Sequence, residues 1–195
     1  MPTFAAVRLF IDNWRWNGVP FYLRSGKRLK NRVSEIAVQF RAPPHLMFGH
    51  QTREAMRPNT LVMRVQPNEG VSLNFEVKVP GAAVALTSNI EIAPVDMEFN
   101  YAEAFGEVTA PAYETLLLDA MRGDATLFTR GDEVESEWRI ITPIEEAWAQ
   151  LAPPSFPNYA AGSEGPEAAN GLISGDHRKW HSIIEEEASS NGHGH

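Results

Sequence analysis

Leu61-Val-Met-Arg-Val-Gln-Pro-Asn-Glu-Gly70-Val-Ser-Leu-Asn-Phe-Glu-Val-Lys-Val79 is the stretch on which the fold turns. Leu61 to Gln66 reads as a strand and Pro67-Asn-Glu-Gly70 as a turn, with Val71 to Val79 running back. In the return strand Val71, Leu73, Phe75, Val77 and Val79 alternate with Ser72, Asn74, Glu76 and Lys78. A period of two puts the first set on one face and the second on the other. Two such strands joined by a short Pro/Asn/Gly turn predict an antiparallel hairpin.

Upstream, Val33 to Arg41 alternates in the same way. Ile36, Val38 and Phe40 fall on one face and Glu35, Gln39 and Arg41 on the other, and Pro43-Pro44 ends the strand. His45 to Asn59 has no clear period and reads as a loop. Downstream, Ile90 to Tyr101 is a further strand, in which Pro94 predicts an edge or bulge. Val19 to Leu23 is apolar and β-favouring. Thr3 to Ile11 fits a buried strand, but Phe4, Val7, Ile11 and Trp14 also fit a helical stripe, so periodicity leaves both open.

Helices follow the strands. Tyr113, Leu116, Leu117, Ala120 and Met121 recur at helical spacing between Pro111 and Gly123. Asp132-Glu-Val-Glu135 resembles a capping box, opening a helix whose stripe of Val134, Trp138, Ile141 and Trp148 is expected to face a core. Pro143 is expected to kink it. After Pro153-Pro154 the pattern decays into a Gly/Ala/Pro/Ser-rich tail, with one possible short helix over Asp176 to Glu187. The prediction is therefore α+β: a large, mainly antiparallel sheet with helices packed on one face. Residues 1–155 are expected to form the domain and 156–195 a tail with disordered last residues.

The chemistry is concentrated earlier, where Arg24, Lys27, Arg28, Lys30 and Arg32 follow the Val19–Leu23 strand and interrupt themselves with Ser25-Gly26. Cations on a glycine-marked turn suit a phosphate or carboxylate, although a solvated basic turn fits the spacing as well. Gln66, at the end of its strand, offers an amide donor and acceptor to a hydroxyl, or simply closes the hairpin end.

Charge supports a local anion site. The 195 residues carry a formal net charge of −8, yet residues 1–41 hold eight Lys/Arg against two Asp/Glu. A local basic patch in an acidic chain favours a small anion over a polyanion and argues against general nucleic-acid binding. Hydrophobic content of 43% and charged content of 22% fit one globular domain. No run approaches a membrane span. Zero cysteines exclude disulfides and thiol catalysis, which is compatible with a cytoplasmic home. No Gly-x-Gly-x-x-Gly, Walker, Gly-x-Ser-x-Gly or His-Glu-x-x-His motif occurs. His45 and His50 lack a carboxylate cluster, and His193 and His195 are tail residues, so no metal site is expected. No catalytic residue is predicted.

Asp12-Asn-Trp-Arg-Trp-Asn-Gly-Val-Pro-Phe-Tyr-Leu-Arg-Ser-Gly-Lys-Arg-Leu29 resembles the C-terminal domain of the glucose-6-phosphate dehydrogenase family, in a bacterial form. The resemblance continues through Leu61–Glu69, Pro111–Ala120 and Glu137–Pro143, and returns more weakly at Gly162–Pro166. It implies that Thr3 to Ile11 is a strand. It also implies an oxidoreductase of the pentose phosphate pathway that converts glucose 6-phosphate and NADP⁺ to 6-phosphogluconolactone and NADPH. In that family NADP and a catalytic histidine belong to an N-terminal Rossmann-like domain. The C-terminal domain helps complete the sugar phosphate site and forms the subunit contact, so a homodimer or tetramer through the sheet is expected. Trp14, Trp16 and the strand faces offer apolar area for it.

By motif, Lys27, Arg32 and Gln66 match family contacts to glucose 6-phosphate. Some animal members hold a second, structural NADP⁺ on this domain. Here Val33, Ala37, Ser72, Asn74 and Glu164 stand where cationic or aromatic groups are expected, while Arg24, Arg64 and Trp180 remain. No cofactor is therefore expected on this chain, and no turnover from it alone. The alternative is a non-catalytic assembly or sugar-phosphate-binding protein derived from the same domain.

Overall fold

The computed structural model describes residues 2–42, 57–80, 92–106 and 112–181. The expectations for His45, His50, Pro43-Pro44, Pro111, residues 182–187 and the terminal histidines lie outside these. Six strands come first: β1 (Phe4–Phe10), β2 (Pro20–Gly26), β3 (Ser34–Gln39), β4 (Thr60–Gln66), β5 (Gly70–Lys78) and β6 (Ile92–Asn100). Four helices follow: α1 (Tyr101–Phe105), α2 (Ala112–Arg122), α3 (Gly131–Gln150) and α4 (Ala168–Ser174). The architecture is α+β with antiparallel sheets, as the alternation predicts.

The hydrogen bonding divides the strands into two ladders: β1–β2, and β3–β4–β5–β6 in that order. Among the described residues, those up to Ala104 and from Tyr159 on form one compact unit and those from Phe105 to Asn158 another. This differs from a break at residue 155, because the segment after Tyr159 returns to the strands instead of trailing as a tail.

Register explains the four-stranded sheet. Ile36 pairs with Met63, Met63 with Val71, and Val71 with Phe99; Leu61 pairs with Leu73, and Leu73 with Met97. Paired residues share a face, so one face is apolar across all four strands. It was expected to be packed, but in this unit it stands open: Ile36 is 54% and Met97 60% exposed. The opposite face carries Glu35, Arg64, Asn74, Asp96 and Glu98, with Arg64 ion-paired to Glu98. Val62, flanked in register by the small Ala37 and Ser72, is buried on that face. Pro94 lies in β6, which among the described residues pairs with β5 alone, so the missing N–H is tolerated. Asn100 ends the strand earlier than expected by accepting the Ala102 amide at 2.9 Å and so starting α1.

β1 was expected to be buried on both faces, yet Phe10 and Ile11 are exposed. Gly26 is the last strand residue, paired with Phe4, and not part of a turn. A Cβ on Gly26 would stand 2.6 Å from the Phe4 ring, and one on Gly165 (φ +104°) 2.4 Å from it. Both glycines make room for that ring, which also meets Tyr159 at 5.7 Å between centroids.

α4, in this unit, packs against β1. Sequence reading placed a helix over 176–187, but the described residues 176–181 are not helical. His177 takes φ +56°, and the Asp176 carboxylate is committed to Arg8 at 3.2 Å and to the Tyr22 hydroxyl. Ala169 and Ile173 of α4 are buried.

In the second unit α2 ends as its glycine predicts. Gly123 (φ +73°) sends its N–H to Ala120 O at 3.2 Å, and Asp124 N–H reaches Asp119 O at 2.9 Å. These two bonds form a Schellman cap. α3 runs through Pro143, which has no N–H to return to the turn before it. The capping-box expectation fails there: the helix begins at Gly131, so Asp132 lies inside it. Its carboxylate grips Arg130 at 2.8 and 3.0 Å. The α3 stripe is also open in this unit, with Trp138 57% exposed.

Two outcomes follow. The Tyr22 hydroxyl, ahead of the Arg8 guanidinium, holds the Asp176 carboxyl below the usual carboxylate range. Its stabilising contribution is therefore present above about pH 4, the unfolded carboxylate value, and lost as pH falls through the lower folded value. Thermal melts from pH 6 to pH 2 should show a steeper acid loss in the wild type than in Asp176→Asn; parallel curves would contradict this. Gly165→Ala should cost about 1–3 kcal/mol in urea melts through its positive φ and the Phe4 clash.

Candidate functional site

The basic loop runs from Lys27 at the end of β2 to Val33 before β3. Its backbone is tied at both sides. Lys27 N–H donates to Thr3 O at 2.8 Å, and the Tyr159 hydroxyl lies 2.9 Å from Lys27 O and 3.0 Å from Thr3 O. Gly162 N–H donates to Arg28 O and Lys30 N–H to Ser163 O, each at 2.9 Å, and Leu29 bridges Ser163 in parallel. Arg28 takes φ +54° within this frame. Because main-chain groups carry these bonds, the Lys27, Arg28 and Arg32 side chains remain exposed. Exposed cations on a fixed backbone can receive an anion without first paying to order the loop.

Of the sequence-predicted residues, Lys27 and Arg32 lie on this one loop, and Gln66 ends the strand that pairs with the start of β3. Gln66, the last residue of β4, pairs in register with Ser34 and donates from Nε2 to Ser34 Oγ at 3.3 Å. That places it beside the residue two positions after Arg32. Lys27 stands at the opposite end of the same loop. Among the described residues no hydrogen bond or ion pair joins the three side chains to one another.

Sequence reasoning missed the residues that hold this loop and its surroundings. Tyr159, Gly162 and Ser163 come from the stretch read as a tail; the weak match at Gly162–Pro166 was the only signal. Beyond them Trp180 donates its indole N–H to Ala169 O at 3.0 Å and meets Tyr22 edge-on at 6.1 Å. His181 Nδ1 pairs with Glu35 Oε1 at 2.8 Å. Arg24 lies 5.0 Å over the Trp180 ring, donates to His181 O at 3.3 Å, and is paired with Glu164 at 3.2 Å.

These contacts bear on the second dinucleotide. Arg24 faces Glu164, Arg64 faces Glu98, and Asn74 is bonded to Asp96 at 2.6 Å. Val33, Ala37 and Ser72 add no charge. The residues present do not fit an anionic dinucleotide at that place. Among the described residues no group of three His, Cys, Asp or Glu is arranged for a metal ion. No described helix is long and apolar enough to cross a membrane.

Comparison with known proteins follows the same lines. The family described as glucose-6-phosphate dehydrogenase, C-terminal domain, matches residues 1–181. The glucose-6-phosphate 1-dehydrogenase of Chlamydia pneumoniae is 47% identical over 180 residues, covering 91% of this chain and 34% of the relative. A crystal structure of glucose-6-phosphate 1-dehydrogenase from Mycobacterium avium superposes with a TM-score of 0.72 at 32% identity, over 93% of this chain and 35% of the other. A glucose-6-phosphate dehydrogenase in complex with its substrate glucose-6-phosphate gives 0.75 at 32% identity, over 92% of this chain and 35% of the other. The chain thus spans about a third of the length of the relatives it matches. Sequence and fold agree, and the chain belongs to the glucose-6-phosphate dehydrogenase C-terminal domain family.

Proposed function

We propose that this chain serves a glucose-6-phosphate 1-dehydrogenase by completing its sugar phosphate site and joining its subunits. The observation that carries the reading is the basic loop, whose backbone is spent on Thr3, Tyr159, Gly162 and Ser163 while its cationic side chains stay exposed. In this reading the Lys27 ammonium and Arg32 guanidinium take the phosphate oxygens of glucose 6-phosphate, and the Gln66 amide bonds a sugar hydroxyl. Hydride passes to NADP⁺ held by the Rossmann-like domain, which also supplies the base. The product is 6-phosphogluconolactone with NADPH. This chain orients substrate, and alone it turns over nothing. The enzyme works in the cytoplasm.

In an enzyme carrying this domain, Lys27→Ala should lower kcat/KM for glucose 6-phosphate by about 10- to 150-fold, or about 1.5–3 kcal/mol for a charge-assisted contact. Kinetics equal to the wild type would remove Lys27 from the site. Catalysis of NADP⁺ reduction by the 195-residue chain alone would overturn the division of labour.

Assembly is proposed through the apolar face of the four-stranded sheet as a homodimer, or a tetramer of such dimers. Water contact at Ile36, Met97 and Phe99 is unfavourable, and a second copy removes it. Met97→Glu should shift sedimentation equilibrium toward monomer; unchanged association places the contact elsewhere.

A further inference from the structure

Arg24 and Trp180 form an arrangement that the mechanism above does not use. The guanidinium lies 5.0 Å over the indole, its side chain is 17% exposed, and its charge is met by Glu164 at 3.2 Å. A cation beside an aromatic face is a receptor for a phosphate joined to a flat base. Here the anion comes from within the chain. The neighbouring groups extend the pattern. The His181 carbonyl accepts from Arg24, the His181 ring pairs with Glu35, and Glu35 sits in register with Arg64, which is held by Glu98. Each guanidinium thus has its own carboxylate, and a third carboxylate, Glu35, stands nearby on the His181 ring. An incoming pyrophosphate would have to displace Glu164 and would then meet repulsion from it and from the acidic neighbours.

We propose that Glu164 acts as a built-in counter-ion that closes an Arg24–Trp180 anion site, so that this domain takes no second dinucleotide and needs none to hold its fold. The position that a ligand phosphate would fill is occupied by a carboxylate on the Ser163–Gly165 turn, the same turn that carries the loop-holding Ser163. The closure is therefore built into the chain's own turn and independent of ligand concentration. This inference does not depend on the roles of Lys27, Arg32 or Gln66.

The test is calorimetric titration of the 195-residue chain with NADP⁺ and with inorganic pyrophosphate, accompanied by thermal melts. The wild type should show no saturable NADP⁺ binding up to about millimolar concentration, and no rise in Tm from it. Glu164→Gln, a change at a half-exposed side chain, should bind pyrophosphate at least about tenfold more tightly than the wild type. Arg24→Ala in that background should remove the gain. Saturable NADP⁺ binding by the wild type overturns the proposal, as does a Glu164→Gln affinity equal to the wild type's. Should Glu164→Gln fail to fold, the wild-type NADP⁺ titration decides alone.

Discussion

A single guanidinium, that of Arg24, stands where the β1–β2 ladder, the turn at Glu164, the Trp180 ring and the His181 carbonyl come together. From His181 the connection passes to Glu35 in β3, so the two hydrogen-bonded ladders are joined through one side chain and the segment it fixes. Arginine can do this because its planar face stacks while its edges donate in several directions at once; a lysine ammonium has no such face. The partly buried setting makes each of these contacts stronger than its surface equivalent, and makes leaving any of them unmet more costly.

This constraint also explains why a loop rich in cations holds a defined path. Like charges at Lys27, Arg28, Lys30 and Arg32 repel, and a free loop would spread them. The bonds from Tyr159, Gly162 and Ser163 fix the backbone first, and those residues are held in turn by the packing of α4 and Trp180 on the hairpin. Order in the basic loop is thus produced by a segment more than a hundred residues away in sequence.

The sequence made the β4–β5 hairpin legible because strict alternation and the Pro-Asn-Glu-Gly turn agree. The C-terminus of α2 was legible because Gly123 ends the helix by a local rule. The basic loop was legible from its residue types alone. What escaped was everything decided by distant partners. α4 is too short to show a period, and its buried Ala169 and Ile173 gain their meaning only from β1. Gly26 looked like a device for admitting a ligand, and it admits Phe4 instead. The β3 face and the α3 stripe were identified correctly as apolar, but a pattern states what prefers burial and not what supplies it. For the candidate site, Lys27 and Arg32 stood out by motif and Glu164 by its departure from the pattern, whereas Tyr159 sat in a stretch whose Gly/Ala/Pro composition suggests no structure.

The bond between Arg8 and Asp176 spans 168 positions. On the ribosome the β1–β2 hairpin emerges long before the acid that will clasp it has been synthesised. During that interval Arg8 and Tyr22 lack the carboxylate that joins them. A contact of such sequence separation closes only after everything between its partners has been made, and the entropy of that closure falls on the folding of this unit.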